Sequence, residues 1–133
     1  MIVTKDDINK YLIGIKVLVA DGRYRIDTNS KRQKNIQLYT DYIIDEKKSK
    51  AILLDLKVED FSHILNNEHE GFEHEILYVF GKDITLTERF DTGVKNVALY
   101  IKFNKLGSSF VVVISFHKQD YPLSFPFNEK CQG

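Results

Sequence analysis

Residues 97–117 read VALYIKFNKLGSSFVVVISFH, two apolar runs joined by a polar turn. In the first run apolar residues recur at every second position, which is typical of a strand with one buried side: Val97, Leu99, Ile101 and Phe103. Gly107 lies in the turn, where glycine can adopt a positive φ without strain. Residues 110–117 are rich in β-branched side chains and predict a second, more buried strand. The stretch therefore predicts a hairpin around which the rest of the chain is organised.

Strict alternation would assign the two faces of this hairpin. In the second strand it places one set of side chains together, Phe110, Val112, Ile114 and Phe116. It places the other set on the opposite face, Val111, Val113, Ser115 and His117. Pairing across the turn then brings polar side chains onto one shared face, namely Tyr100, Lys102, Ser115 and His117. A phenol, an ammonium and an imidazole on one face suggest chemistry on an anion, although each of them alone is also an ordinary strand residue.

Composition limits the class of protein. The chain has 133 residues, 43% of them hydrophobic, which predicts one domain with a single core. Lys plus Arg and Asp plus Glu both number 19, so net charge gives no general attraction to nucleic acid or anionic lipid. Cys131 is the only cysteine, which argues against disulfides and cysteine-based zinc sites. The early charges and the absence of a long apolar run predict a cytoplasmic protein without membrane association.

The first half of the chain predicts helices and a basic segment. Residues 4–20 have apolar side chains at helical spacing, Thr4 as the cap and Gly22 just beyond the end. Residues 23–35 then carry five basic side chains against Asp27 alone, a local charge of +4: Arg23, Arg25, Lys31, Arg32 and Lys34. We expect a short strand followed by a polar loop there, and a charge run of this kind is usually a solvated face.

Later segments are less clear. Residues 36–56 fit either strands or helices, and residues 58–66 predict a short helix with Phe61, Ile64 and Leu65 inward. Residues 72–80 predict a strand, 81–83 a turn, 84–86 a short strand and 91–93 another turn. Residues 121–127 are expected to be extended but outside a central strand, because they contain two prolines. The expected fold is α+β, with N-terminal helices packed on an antiparallel β-sheet.

Three of the four histidines fall in one short region: His63, His69 and His74. Imidazole exchanges protons near neutral pH, so a group of histidines suits acid–base chemistry without a metal. The alternative is a metal site with neighbouring glutamates, but the spacing matches no common zinc pattern. A glycine-rich phosphate loop and a nucleophile elbow are both absent from the sequence.

Several short pieces, in order, resemble the motility quorum-sensing regulator (MqsR) toxins. The pieces are IKVLVADGRYRI, LLDLKVEDFSH, FEHEILYVF, LYIKF and VVVISFH, spread over residues 15–117. Members of that family are ribosome-independent mRNA interferases with a RelE-like fold. The resemblance implies that residues 1–133 form a single MqsR/RelE-like toxin domain that needs no metal and no cofactor.

The family motifs carry over residue by residue. The family places a lysine two positions after an Asp-Phe pair, where this chain has His63 after Asp60-Phe61. Its tyrosine two residues before a strand lysine corresponds to Tyr100 before Lys102. Its lysine after a Ser-Phe pair corresponds to His117, and its glutamine in the middle strand falls near His74 or Glu75. This chain also has a tail, residues 118–133, and zero net charge, in which it departs from the family.

The resemblance implies an endoribonuclease toxin of a type II toxin–antitoxin pair, cleaving mRNA by 2′-hydroxyl attack. The implied catalytic residues are His63, His74, Tyr100, Lys102 and His117. The basic residues between Arg23 and Lys34 would hold the RNA backbone. The implied partner is an antitoxin with a helix-turn-helix DNA-binding domain. The alternative is a non-enzymatic interaction module on the same fold, binding a partner protein through residues 24–44 or the tail.

Overall fold

A helical first half precedes a five-stranded sheet in the computed structural model, which describes residues 2–128. The helices are α1 (Lys5–Ala20), α2 (Gln33–Asp41) and α3 (Glu46–Leu54). The strands are β1 (Tyr24–Ile26), β2 (Phe61–Asn66), β3 (Ile76–Thr87), β4 (Val94–Leu106) and β5 (Phe110–Lys118). Their order in the sheet is β1-β5-β4-β3-β2, and all neighbours are antiparallel except β1 and β5. The predicted α+β class is confirmed.

Helix α1 forms as its sequence predicts. Thr4 and Asp7 make a capping box, in which each side chain accepts a hydrogen bond from the other residue's backbone N–H. Just beyond the helix, Gly22 has a φ of 76°. The buried stripe of the helix comprises Ile8, Leu12, Ile15, Leu18 and Val19. Within residues 2–128, no helix has both the length and the apolar character needed to cross a membrane.

The core lies between the helices and one face of the sheet. That face contributes fully buried side chains from three strands, Phe80, Leu99, Ile101, Phe103 and Phe116. Phe80 meets the rings of Phe61 and Phe103 edge-on, with centroids 5.6 and 5.7 Å away. The opposite face, which we call the open face, carries the polar side chains of the hairpin.

Several segment predictions are wrong, because pairing within the sheet overrides local spacing. Of residues 58–66, only Val58–Asp60 form a 3-10 turn; Phe61–Asn66 form β2, since they pair with β3. Leu65, expected inward, is 38% exposed. Residues 72–75 precede β3, which starts at Ile76 and continues through 81–83 without the expected turn. Residues 33–35 begin α2 instead of a loop, and the ambiguous residues 36–56 fold mainly as helices.

Gly81 lies inside β3 because another part of the chain crosses over it. A Cβ at this position would lie 2.8 Å from side-chain atoms of Leu123 and Phe125. We call residues 119–127 the strap. It leaves β5 with Gln119 hydrogen-bonded to β4 and ends with the Phe127 ring 5.8 Å from that of Phe61. As predicted, residues 121–127 form no strand of the sheet, but Pro126 and Phe127 lie in a turn instead of an extended segment. The strap covers part of the open face; Cys131 lies outside the described residues.

Two β-bulges change the predicted alternation. In β5, Lys102 pairs with Ser115 but Phe103 pairs with Val113, so Ile114 is an extra residue. Consequently Val111, Val113 and Phe116 face the core, whereas Val112, Ser115 and His117 share the open face. The assignment of Val111 and Val113 to the face of His117 was therefore wrong, as was that of Val112 to the face of Phe116. In β2 a second bulge at Ser62 places His63 opposite Val79 on the open face.

Asn35 of α2 holds the bulge in β5. Its buried side chain donates to the carbonyl oxygens of Asp27 and Ile114 and accepts from the N–H of Phe116. The bonds to Ile114 and Phe116 satisfy backbone groups that the bulge removes from the strand ladder, and the bond to Asp27 ties the same side chain to the segment after β1. Asn35 thereby stabilises the bulge that precedes His117.

Replacing Asn35 with alanine is therefore expected to lower the free energy of unfolding by roughly 2–3 kcal/mol, because buried backbone groups lose their partners. Thermal or urea unfolding of the purified variant measures this. Gln37→Ala is the matched control on the exposed side of the same helix, where the Gln37 side chain donates a hydrogen bond to Asp41. Equal stability of the two variants would contradict the role assigned to Asn35.

Candidate active site on the open face of the sheet

Two neighbouring rows of side chains cross the open face. The first row runs across four strands and comprises His63, Val79, Lys102 and Ser115. The second row comprises Gly81, Tyr100 and His117, with the strap over Gly81. Both bulges are needed for this arrangement, since without them the two histidines would point toward the core face. The predicted shared face of Tyr100, Lys102, Ser115 and His117 is confirmed.

Tyr100 and His117 form the best-defined pair. Their rings stack with centroids 5.2 Å apart and planes 12° apart. His117 Nδ1 lies 2.7 Å from the carbonyl oxygen of Lys118. A carbonyl oxygen only accepts hydrogen bonds, so Nδ1 carries the proton and Nε2 of the neutral ring is left as a base. His117 lines a cleft of about 170 Å³ together with Lys34 and Asp120.

Burial sets the protonation of this pair. Desolvation lowers the pKa of His117, although the Lys118 carbonyl and Asp120 act in the opposite direction. Desolvation also raises the pKa of Tyr100. At neutral pH the imidazole is therefore mostly neutral and the phenol is protonated. The pair combines a base with a hydrogen-bond donor.

Lys102 lies between the histidines and has no salt bridge within residues 2–128. Burial and the nearby positive charge of Arg32 lower its pKa, while Glu68 raises it. The Cα atoms of Lys102 and His117 occupy diagonal positions on paired strands, a separation of roughly 7–8 Å. Both side chains can therefore reach one phosphate group.

His63 occupies the far end of the first row. It is two strands away from Lys102, which corresponds to about 10 Å between Cα atoms. Its Nδ1 shares a hydrogen bond of 2.8 Å with the Ser62 hydroxyl. Burial, followed by the charge of Lys102, lowers the pKa of His63. The structure thus puts one histidine on each side of Lys102.

His74 is separate from these residues. It lies in the exposed turn before β3, not in the middle strand, and is therefore not part of either row. Its neighbour Glu75 instead accepts hydrogen bonds from Asn67 and Asn104. Among residues 2–128, no three histidine, cysteine, aspartate or glutamate side chains are grouped as metal ligands would be.

The predicted RNA-binding residues divide into two groups. Arg23 and Arg25 are exposed, and each pairs with a nearby aspartate, Asp21 and Asp27, at 2.7 and 2.9 Å. Lys31 is exposed as well. Arg32 and Lys34, at the start of α2, reach the open face, where Arg32 interacts with Lys102 and Lys34 forms an ion pair with Asp120.

Sequence reasoning missed the two bulges and the strap that borders the site. A glycine inside an apolar strand run is the local signal that could reveal the strap, although the same residues also predict a turn. The two prolines of the tail predict only an extended segment outside a central strand. Its position over Gly81 makes it the wall of the site next to Tyr100.

No family model, curated protein or solved structure matches this chain. The resemblance to MqsR toxins therefore rests on the short sequence pieces alone.

Proposed function

We propose that this protein is a metal-independent endoribonuclease that cleaves mRNA by attack of a 2′-hydroxyl on the adjacent phosphate. The observation that supports it best is the placement of Lys102 between two histidines on one open sheet face. RNA cleavage of this type needs a base, an acid and a stabiliser of the pentacovalent phosphorus. The site offers a candidate for each.

His117 is the base in this proposal, because its Nε2 is free to accept the proton of the 2′-hydroxyl. The 2′-oxygen then forms a bond to phosphorus as the bond to the 5′-oxygen breaks. Lys102 stabilises the charge on the phosphoryl oxygens, and Tyr100 orients the His117 ring and donates to the phosphate. His63, in its protonated form, delivers a proton to the leaving 5′-oxygen. His74 has no role here, since it is exposed outside the rows.

From the same resemblance we also propose that the enzyme is a cytoplasmic toxin, and that an antitoxin with a helix-turn-helix domain keeps it inactive. Arg32 and Lys34 are then the principal contacts to the RNA backbone, since they lie beside Lys102 and His117. The alternative of an interaction module that docks through its tail is less favoured. Residues 119–127 are packed against the sheet and are not presented as a free peptide.

The experiment is cleavage of single-stranded RNA by the purified protein in excess EDTA. We expect cleavage to persist and to leave 2′,3′-cyclic phosphate and 5′-hydroxyl ends, the products of 2′-hydroxyl attack. The matched control is the same oligonucleotide with a 2′-deoxy sugar at the cleaved position, which is expected to stay intact. Loss of cleavage in EDTA with recovery on adding zinc or manganese, or products with 5′-phosphates, would contradict the mechanism.

A further inference from the structure

A groove of about 650 Å³ lies beside Lys102 on the open face. Its apolar floor is formed by Leu65, Leu77 and Ile114, the last of which is the bulged residue of β5. Its polar wall includes Arg32, Glu68 and Lys102. The groove is therefore continuous with the proposed catalytic rows, on the side away from the strap.

Two cations, Arg32 and Lys102, lie close together in this groove. The Arg32 Nε is buried and has no hydrogen-bond acceptor in the part of the chain that the structure describes. Lys102 is half-buried, interacts unfavourably with Arg32 and has no salt bridge within residues 2–128. Like charges held together in a partly desolvated site favour a bound anion. Consecutive phosphates of one RNA strand supply two such anions.

The loop that forms the opposite wall is braced. The Asn67 side chain donates to Glu75 at 3.0 Å and accepts from the backbone N–H of His69 at 3.0 Å. Glu75 also accepts from Asn104 of β4, which ties the loop to the sheet. Glu68 stands between Asn67 and His69 on this braced segment, with its side chain exposed along the groove. These bonds fix the backbone on both sides of Glu68, and its exposed carboxylate can accept hydrogen bonds from a ligand in the groove.

We propose that this groove is the subsite for one unstacked nucleotide beside the cleaved phosphate, and that Glu68 selects a base with an exocyclic amino group over uracil. The proposal rests on the proposed RNA substrate. Arg32 and Lys102 hold the phosphates on either side of that nucleotide, and its base lies on Leu65 and Leu77. Cytosine, adenine and guanine each present an exocyclic amino donor to a carboxylate, whereas uracil has the carbonyl oxygen O4, which repels a carboxylate, where cytosine has its amino group.

The test is binding of short 2′-O-methyl oligonucleotides of cytidine or uridine, which differ at an amino or carbonyl group. They lack the nucleophilic hydroxyl, so binding is measured independently of cleavage. We expect the wild-type protein to bind the cytidine oligomer roughly tenfold more tightly. Glu68→Gln should nearly abolish this preference, because an amide can also donate to uracil. Glu70→Gln, an exposed change in the same loop, should keep it.

Arg32→Gln should weaken binding of both oligomers and reduce the salt dependence by about one counterion, without changing the preference. Equal wild-type affinities for the two oligomers, an unchanged preference in Glu68→Gln, or no binding at all would overturn the subsite. If the protein cleaves ordinary RNA but shows no base preference, the proposed subsite is wrong and the proposed nuclease activity is supported. If the protein shows the base preference in binding but does not cleave RNA, the proposed subsite is supported and the proposed nuclease activity is wrong.

Discussion

Replacing His117 with alanine is expected to lower the rate of RNA cleavage by roughly 10²–10⁴-fold, the usual contribution of one general acid–base group. The reason is the free Nε2 of the ring, which is positioned by the Lys118 carbonyl and stacked on Tyr100. Cleavage of a labelled oligonucleotide under single-turnover conditions measures the effect. In cells, the same change should relieve growth arrest caused by the wild-type protein.

Two controls separate catalysis from folding. Thermal unfolding of the His117→Ala variant should change little, because the ring contributes to no part of the core cluster. His74→Ala is the matched histidine substitution, in an exposed turn, and should leave the rate unchanged. Equal rates for the wild-type and His117→Ala proteins would remove His117 from the mechanism, and parallel losses of rate and folding would make its role structural.

The pH profile gives a second readout of the same proposal. Both His63 and His117 have a pKa below the ordinary value of 6.5, mainly because of burial. With one ring as base and the other as acid, kcat/KM is highest midway between the two values, hence below pH 6.5. The rate falls on the acid side as the base gains its proton and on the alkaline side as the acid loses its proton. Removing His117 should abolish the acid limb, and removing His63 the alkaline limb.

Local sequence pattern was sufficient to predict α1 and the hairpin of β4 and β5. The capping residue and apolar stripe of α1 are found as predicted, and so is the hairpin around Gly107, which has a φ of 61°. Alternation also identified the face shared by Tyr100 and Lys102, because β4 buries every second residue from Val97 to Phe103.

The features of the fold that local pattern did not predict depend on contacts between distant parts of the chain. Asn35 and Ile114 are 79 positions apart, so no window of sequence reveals that one holds a bulge at the other. Residues 58–66 have apolar spacing compatible with a helix, but backbone pairing with β3 makes most of them a strand. The residues around Gly81 are typical of a turn. The strap that crosses over Gly81 explains why a residue without a side chain is needed at this position of β3.

These distant contacts are also what assemble the candidate site. The bulges turn His63 and His117 to the open face, and α2 brings Arg32 and Lys34 over it. Bulges next to active sites commonly redirect side chains in this way. The chemistry of the residue types was therefore visible in the sequence, whereas their grouping followed only from the fold.

Lys102 provides the second large expected effect. Removal of its charge by Lys102→Gln should lower kcat by roughly 10²–10³-fold, the usual cost of losing one group that stabilises transition-state charge. The effect on kcat should exceed the effect on KM, because the phosphate gains negative charge at its oxygens only as the 2′-oxygen adds. Partial desolvation strengthens this interaction, since burial of Lys102 reduces screening by water. Steady-state cleavage at several RNA concentrations separates the two parameters.

Two further variants test whether the positive charge of Lys102 is the cause of the expected loss of kcat. Lys102→Arg keeps a cation in the row and should retain more activity than Lys102→Gln, although guanidinium geometry differs from that of an ammonium. Lys95→Gln removes a lysine from the same strand that is exposed and paired with Glu88 at 3.0 Å, and it should have wild-type kinetics. If Lys102→Gln raised only KM, the lysine would bind RNA without acting in the chemical step. If it changed neither parameter, the row centred on Lys102 would not be the active site.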